Sequence, residues 1–186
     1  MERQAGSNID FNNIIVARTN VLHDIQGDKI ACPKGTILIG CSDGDRFWDM
    51  YNHHCEICNH TRNHPLSLNG GALLISKRSP IRGARADGNT LLRHAHLAVS
   101  KKGFRTIILY VHTPCLVANT YDLDFLEVLR LLIEAKMRLR SCRGMSEVKM
   151  YCFFHVDYEH KKRTYFVARD PAIEFLASHG RPVREQ

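Results

Sequence analysis

A chain of 186 residues is the length of one ordinary domain and is long enough to bury a real core. Its 44% hydrophobic and 24% charged residues are the proportions of a water-soluble globular protein, and no run approaches the roughly 20 apolar residues a membrane span needs. The formal charge of +7 raises the question of nucleic acid, but much of the excess sits in short clusters (Arg138, Arg140, Arg143; Lys161, Lys162, Arg163; Arg181, Arg184) without interleaved aromatics or a binding motif, so a solvated basic surface is expected and a nucleic-acid partner is not. Seven cysteines follow no disulfide rhythm, and Met1-Glu2-Arg3-Gln4 lacks the apolar core of a secretory signal. Reduced thiols and a cytoplasmic location are the expectation.

Residues 1–12 are polar and read as a loose arm; 12–30 mix Ile14, Ile15, Val16, Val21, Leu22 and Ile25 with polar positions and predict a helix, so 1–30 form an N-terminal arm and helix and 31–186 the main domain. Thr36-Ile37-Leu38-Ile39-Gly40 predicts a strand that runs into Cys41-Ser42-Asp43-Gly44-Asp45-Arg46. An amphipathic turn or short helix follows from Asp45 to about His54, then a polar stretch rich in His and Cys over 52–65. Asn69-Gly70-Gly71 opens a second predicted strand, Ala72 to Ser76. Asp87-Gly88-Asn89 offers caps for a helix from about Thr90 to Lys101, stopped by Gly103. A third strand, 106–111, delivers His112. Asp122 is the predicted cap of the longest helix, from about Leu123 to Arg140, whose Leu126, Leu129, Ile133 and Met137 fall at helical spacing. Strands at 148–156 and 163–167 pair as a hairpin, and Pro171 starts a closing helix to about Ser178. The class is α/β: a mainly parallel central sheet with flanking helices and an antiparallel edge hairpin.

Cys41 and the His112-Thr113-Pro114-Cys115 segment both follow β-prone apolar runs, and in an open α/β sheet the carboxyl ends of the strands share one edge, where ligands bind. Two thiolates and an imidazole meeting there are a soft set that suits Zn²⁺ and leaves one position open, as in catalytic rather than structural zinc sites. The pattern points to a zinc hydrolase or hydratase.

These residues resemble the β-class carbonic anhydrases, a family with Cys-x-Asp-x-Arg after its first strand and His-x-x-Cys after a later one. Cys41 and Asp43 match the first motif, His112 and Cys115 the second, and Asn69-Gly70-Gly71-Ala72 is similar to the family's Asn-Ala-Gly turn beside the substrate pocket. The resemblance covers roughly residues 30–168. It implies zinc held by Cys41, His112 and Cys115, with water or Asp43 in fourth place, and reversible hydration of carbon dioxide to bicarbonate by zinc-bound hydroxide. It also implies Asp43 orienting that hydroxide, Arg46 holding Asp43, and a homo-dimer or dimer of dimers. The sequence departs from the pattern in three places: Arg46 lies three residues after Asp43 rather than two, Leu116 replaces the usual glycine, and Leu68 replaces the usual Arg. The chain therefore reads as a divergent branch, with two other functions left open: a catalytically silent zinc-binding or regulatory protein, or a hydrolase of a related small electrophile such as carbonyl sulfide.

Cys55, Cys58, His60 and His64 have the right ligand types for a second zinc, although the spacing from Cys58 to His60 is tight. His53 or His54 is a candidate proton carrier, because imidazole titrates near neutral pH. Trp48, the single tryptophan, reads as a core or interface anchor.

Overall fold

Two strands set the frame of the molecule. In β2 (Thr36–Cys41) all six residues are buried, and in β4 (Thr106–Thr113) only the last is not. Continuous apolar runs of this kind belong to parallel strands covered on both faces. In the computed structural model, which describes residues 19–25, 29–158 and 160–184, they pair with each other in parallel, Ile37 opposite Ile107 and Ile39 opposite Leu109. The remaining strands are β1 (Leu22–His23), β3 (Asn63–Leu68), β5 (Lys149–Asp157) and β6 (Lys162–Val167). The six-stranded sheet runs β1-β6-β5-β4-β2-β3; β3, β2, β4 and β5 are mutually parallel, whereas β6 and β1 are antiparallel to their neighbours. The α/β class, the parallel centre and the antiparallel hairpin are as predicted.

Alternation along the strands divides the core. Ile37, Ile39, Ile107, Leu109 and Val111 face one side, with residues of helices α2 (Ala84–Lys102), α4 (Phe125–Ser141) and α5 (Arg169–Ser178). Leu38, Ile108, Tyr110 and Phe153 face the other, with Met50 and Ile57 of helix α1 (Gly44–Ile57). A short helix, α3 (Leu116–Thr120), follows β4. No helix is long and apolar enough to cross a membrane among the described residues.

Several boundaries differ from the sequence expectations. Most of the helix predicted over 12–30 lies outside the described residues, but Leu22 and His23 within it form β1, opposite Val167 and Phe166. The strand predicted at Ala72–Ser76 is instead a buried 3₁₀ turn, Gly71–Leu74, and the strand beside β2 is the more polar β3. An apolar run has the same composition in a buried turn as in a buried strand. The edge position of β3 explains its half-buried pattern and tolerates Pro65, which has no N–H to donate. Asp87-Gly88-Asn89 lies inside α2 rather than before it, because a Cβ at Gly88 would stand 2.2 Å from the Leu74 carbonyl oxygen: the glycine lets the helix pack on the 3₁₀ turn. At 19 residues α2 exceeds the 17 of α4, and α4 is capped by Asp124, whose carboxylate accepts from the Glu127 amide at 2.8 Å, not by Asp122. Trp48 is 62% exposed and is not part of the core.

Candidate metal centre

Cys41 ends β2, His112 lies next to the end of β4, and Cys115 occupies the N-cap position of α3. One ligand atom from each comes within 4.8 Å of the other two, and all three residues are buried. The imidazole is oriented from behind: Nδ1 lies 2.9 Å from the Pro114 carbonyl oxygen, which can only accept, so Nδ1 carries the proton and Nε2 presents its lone pair. That Nε2 is buried and, apart from the Cys41 sulfur beside it, has no hydrogen-bond partner. A buried imidazole nitrogen and two buried thiols that face one another are a set of donors a cation can join. The donor set fits zinc.

The thiols are prepared for the same role. Cys41 is held down to about 4, first by the Cys115 thiol donating to it, with burial opposing and with His112 and the Gly70 N–H adding to the effect. The Gly70 amide donates to Cys41 Sγ at 3.2 Å. Cys115 is pushed above the ordinary thiol range by the same pairing and by burial. The pairing thus favours the thiolate on Cys41, the form in which a sulfur binds a metal cation.

The Asn69-Gly70-Gly71 turn holds this geometry. Gly70 and Gly71 have φ of 90° and 49°, and a Cβ on Gly71 would lie 2.3 Å from the Cys41 amide nitrogen. Asn69 Oδ1 accepts from Ser42 Oγ at 2.8 Å, tying the turn to the loop after Cys41.

The structure separates the two remaining candidates of that loop. Asp43 caps α1, its Oδ1 accepting from the Asp45 amide at 3.0 Å, and it is not one of the converging ligands. The Arg46 guanidinium, expected on Asp43, bonds instead to Asp45 Oδ2 and Asp157 Oδ2, each at 3.2 Å. The residue inserted before Arg46 starts a helical turn, and this carries the guanidinium to the end of β5. Asp157, a partner of Arg46 that sequence reasoning missed, lies at the same carboxyl edge as His112; only its place at a strand end could have signalled it.

Cys55, Cys58, His60 and His64 do not converge; among the described residues the only metal-type group is Cys41, His112 and Cys115. Cys55 lies on α1 and Cys58 at its end, His60 is exposed beyond it, and His64 on β3 lies 3.4 Å from Lys102 Nζ and stacks on Phe104. The helix runs through the first cysteine and so spreads a set that the sequence places in one loop. His53 and His54 bond to Tyr110 Oη and Thr36 Oγ1. Burial drives both down to about 4, which leaves them neutral and poor proton carriers near pH 7. His155, to which the sequence gives no role, sits opposite His112 in the sheet and lines a polar cavity of about 450 Å³ with Asp49, His53 and Lys162.

Among solved structures, the chain is similar to the β-carbonic anhydrase CafD (wild type) of the filamentous fungus Aspergillus fumigatus: identity is 14%, 79% of this chain and 99% of that chain are covered, and the TM-score is 0.50. The fold is that of the β-carbonic anhydrases. The β-carbonic anhydrase CafA of the same fungus matches at 11% identity over 94% of this chain and 91% of that one, with a TM-score of 0.38. No protein-family model and no curated protein matches the sequence. In this fold the Cys41, His112 and Cys115 cluster lies at the carboxyl edge of the sheet.

Proposed function

We propose that this chain binds one zinc ion through Cys41 Sγ, His112 Nε2 and Cys115 Sγ and catalyses the reversible hydration of carbon dioxide to bicarbonate. The observation that carries the proposal is the convergence of one ligand atom each from the buried Cys41, His112 and Cys115 within 4.8 Å of one another. The chemistry zinc supplies in a site with three protein ligands is Lewis acidity, which brings the pKa of a water down to about 7. The Pro114 carbonyl fixes the imidazole, and the Gly70 N–H fixes the Cys41 sulfur. Asp43 stands two residues beyond Cys41, outside the ligand set, with Oδ1 occupied by the Asp45 amide. Its Oδ2 is the atom we assign to accept a hydrogen bond from the reacting water or hydroxide and so to orient its oxygen.

We further propose that the active form is a dimer or dimer of dimers in the cytoplasm. Leu116, adjacent to Cys115, is 76% exposed, and Trp48 on α1 is 62% exposed, so large apolar side chains are available for a second copy. Seven unpaired thiols suit a reducing compartment.

One observation favours a second reading, a zinc-binding protein without turnover. Arg46 is committed to Asp45 and Asp157, which leaves Asp43 without the guanidinium that the family pattern places on it. Stopped-flow hydration with a pH indicator, on zinc-loaded protein, decides between the two. The enzyme reading expects a rate that appears as pH rises past the water pKa and is largely lost in Asp43→Asn with zinc retained. A rate no better than buffer at alkaline pH would leave the silent zinc protein.

A further inference from the structure

A second pair of cysteines meets away from the metal centre. Cys32, in the irregular segment before β2, and Cys58, at the C-cap of α1, bring their sulfurs to 3.7 Å across 26 residues of sequence. They are 4% and 1% exposed. Ala31, Pro33 and Lys34 around Cys32 are exposed, so its sulfur lies just beneath the surface. A disulfide requires about 2.05 Å between sulfurs, and the roughly 1.7 Å of closure is within reach of side-chain rotation with small backbone shifts.

The two thiols are unequal. Cys32 is drawn down to about 7, chiefly by its pairing with the Cys58 thiol, against burial and with help from Thr106 and Lys149. Cys58 is pushed the opposite way by the same pairing and by burial. Cys32 is therefore the sulfur favoured as the attacking thiolate, with the Cys58 sulfur in contact at 3.7 Å.

We propose that Cys32 and Cys58 form a reversible disulfide, a modification site separate from the metal centre, made by exchange with a low-molecular-weight disulfide such as oxidised glutathione. The Cys32 thiolate attacks one sulfur of the glutathione disulfide, whose S–S bond breaks and releases a glutathione thiolate. Cys58 then gives its proton to solvent or to that thiolate and attacks the Cys32 sulfur; the mixed disulfide breaks and a second glutathione leaves. Two protein thiols are oxidised and one glutathione disulfide is reduced to two thiols. The cross-link closes a loop containing all of β2 and α1, and with them Cys41, Asp43 and Arg46. Oxidation therefore staples the unit that carries one metal ligand and the carboxylate proposed to orient the reacting water.

The test equilibrates zinc-loaded protein in glutathione buffers of rising oxidation, alkylates it under denaturing conditions, and maps cross-linked peptides by mass spectrometry while zinc content and melting temperature are followed. A Cys32–Cys58 peptide that grows with oxidation, disappears with dithiothreitol and leaves zinc bound is the expected result. Oxidation is expected to raise the melting temperature by roughly 5 °C or more, and Cys32→Ser or Cys58→Ser to abolish both the peptide and the rise with unchanged zinc. Full alkylation of both cysteines in the wild-type protein at the most oxidising ratio overturns the proposal. So does a cross-link that joins either of them to a different cysteine, and neither outcome depends on how the variants fold.

Discussion

Arg46 bonds to Asp157, 111 residues away, and not to Asp43, three residues before it. Helix α1 begins at Gly44, so the Arg46 side chain leaves from its first turn toward the end of β5, where the Asp157 carboxylate is only 14% exposed. The pair joins the α1 face of the sheet to the antiparallel hairpin. Its first role in this geometry is structural.

Arg46→Ala should therefore destabilise the fold by about 1–2 kcal/mol, the usual scale for a partly buried charged hydrogen bond, while leaving zinc content unchanged. Urea melts alongside metal analysis give both quantities. Zinc loss without loss of stability would place Arg46 at the metal after all.

The Gly71 position should be intolerant of any side chain. An added Cβ there meets the backbone of Gly40 and Cys41 at 2.3 Å, and φ is positive, so Gly71→Ala should cost at least about 2 kcal/mol and weaken zinc retention by displacing Cys41. Gly44 is the control: nothing lies within 4 Å of its Cβ position, and Gly44→Ala at the start of α1 should be neutral or stabilise by up to about 1 kcal/mol. Equal melting midpoints for the two variants would refute the packing argument.

Stability should fall on acidification through the range set by the buried histidines. His54 is fully buried against Thr36, and burial lowers it from 6.5 to about 4. Between those values the unfolded chain binds a proton that the folded chain refuses, so the contribution is complete above pH 6.5, lost progressively as pH falls toward 4, and constant below. The upper bound is about 3 kcal/mol for this group. His155, 2% exposed and also lowered to about 4, acts with the same sign. Urea melts across this range on wild type and His54→Gln check it: the variant should show the shallower pH dependence, and an unchanged slope would remove His54 from the account.

The legible parts of this fold were those in which local sequence and tertiary setting agree. Thr36–Cys41 and residues 106–111 read as strands because runs of β-branched and aliphatic residues ended in polar loops, and the structure buries both. Asn63–Leu68 did not read as a strand because Asn63, His64, Pro65 and Ser67 break the apolar run, and the edge position leaves the strand only half-buried. Gly88 read as punctuation because its purpose, room for the Leu74 carbonyl, lies in another element. At the site, Cys41, His112 and Cys115 could be joined from sequence because strand ends share an edge. The partner of Arg46 could not, since nothing local distinguishes Asp43, Asp45 and Asp157 as acceptors. The spacing of Cys55, Cys58, His60 and His64 suggested a ligand set only until the helix that runs through the first of them was known.

Metal analysis of the purified chain and its variants tests the central claim most directly. The account expects one zinc per chain, lost in Cys41→Ser, His112→Ala and Cys115→Ser, because a hydroxyl or a methyl group cannot replace a thiolate or an imidazole nitrogen, and kept in Cys55→Ser, His60→Ala and His64→Ala. Full zinc occupancy in His112→Ala, or a second zinc that departs with Cys55, would contradict it.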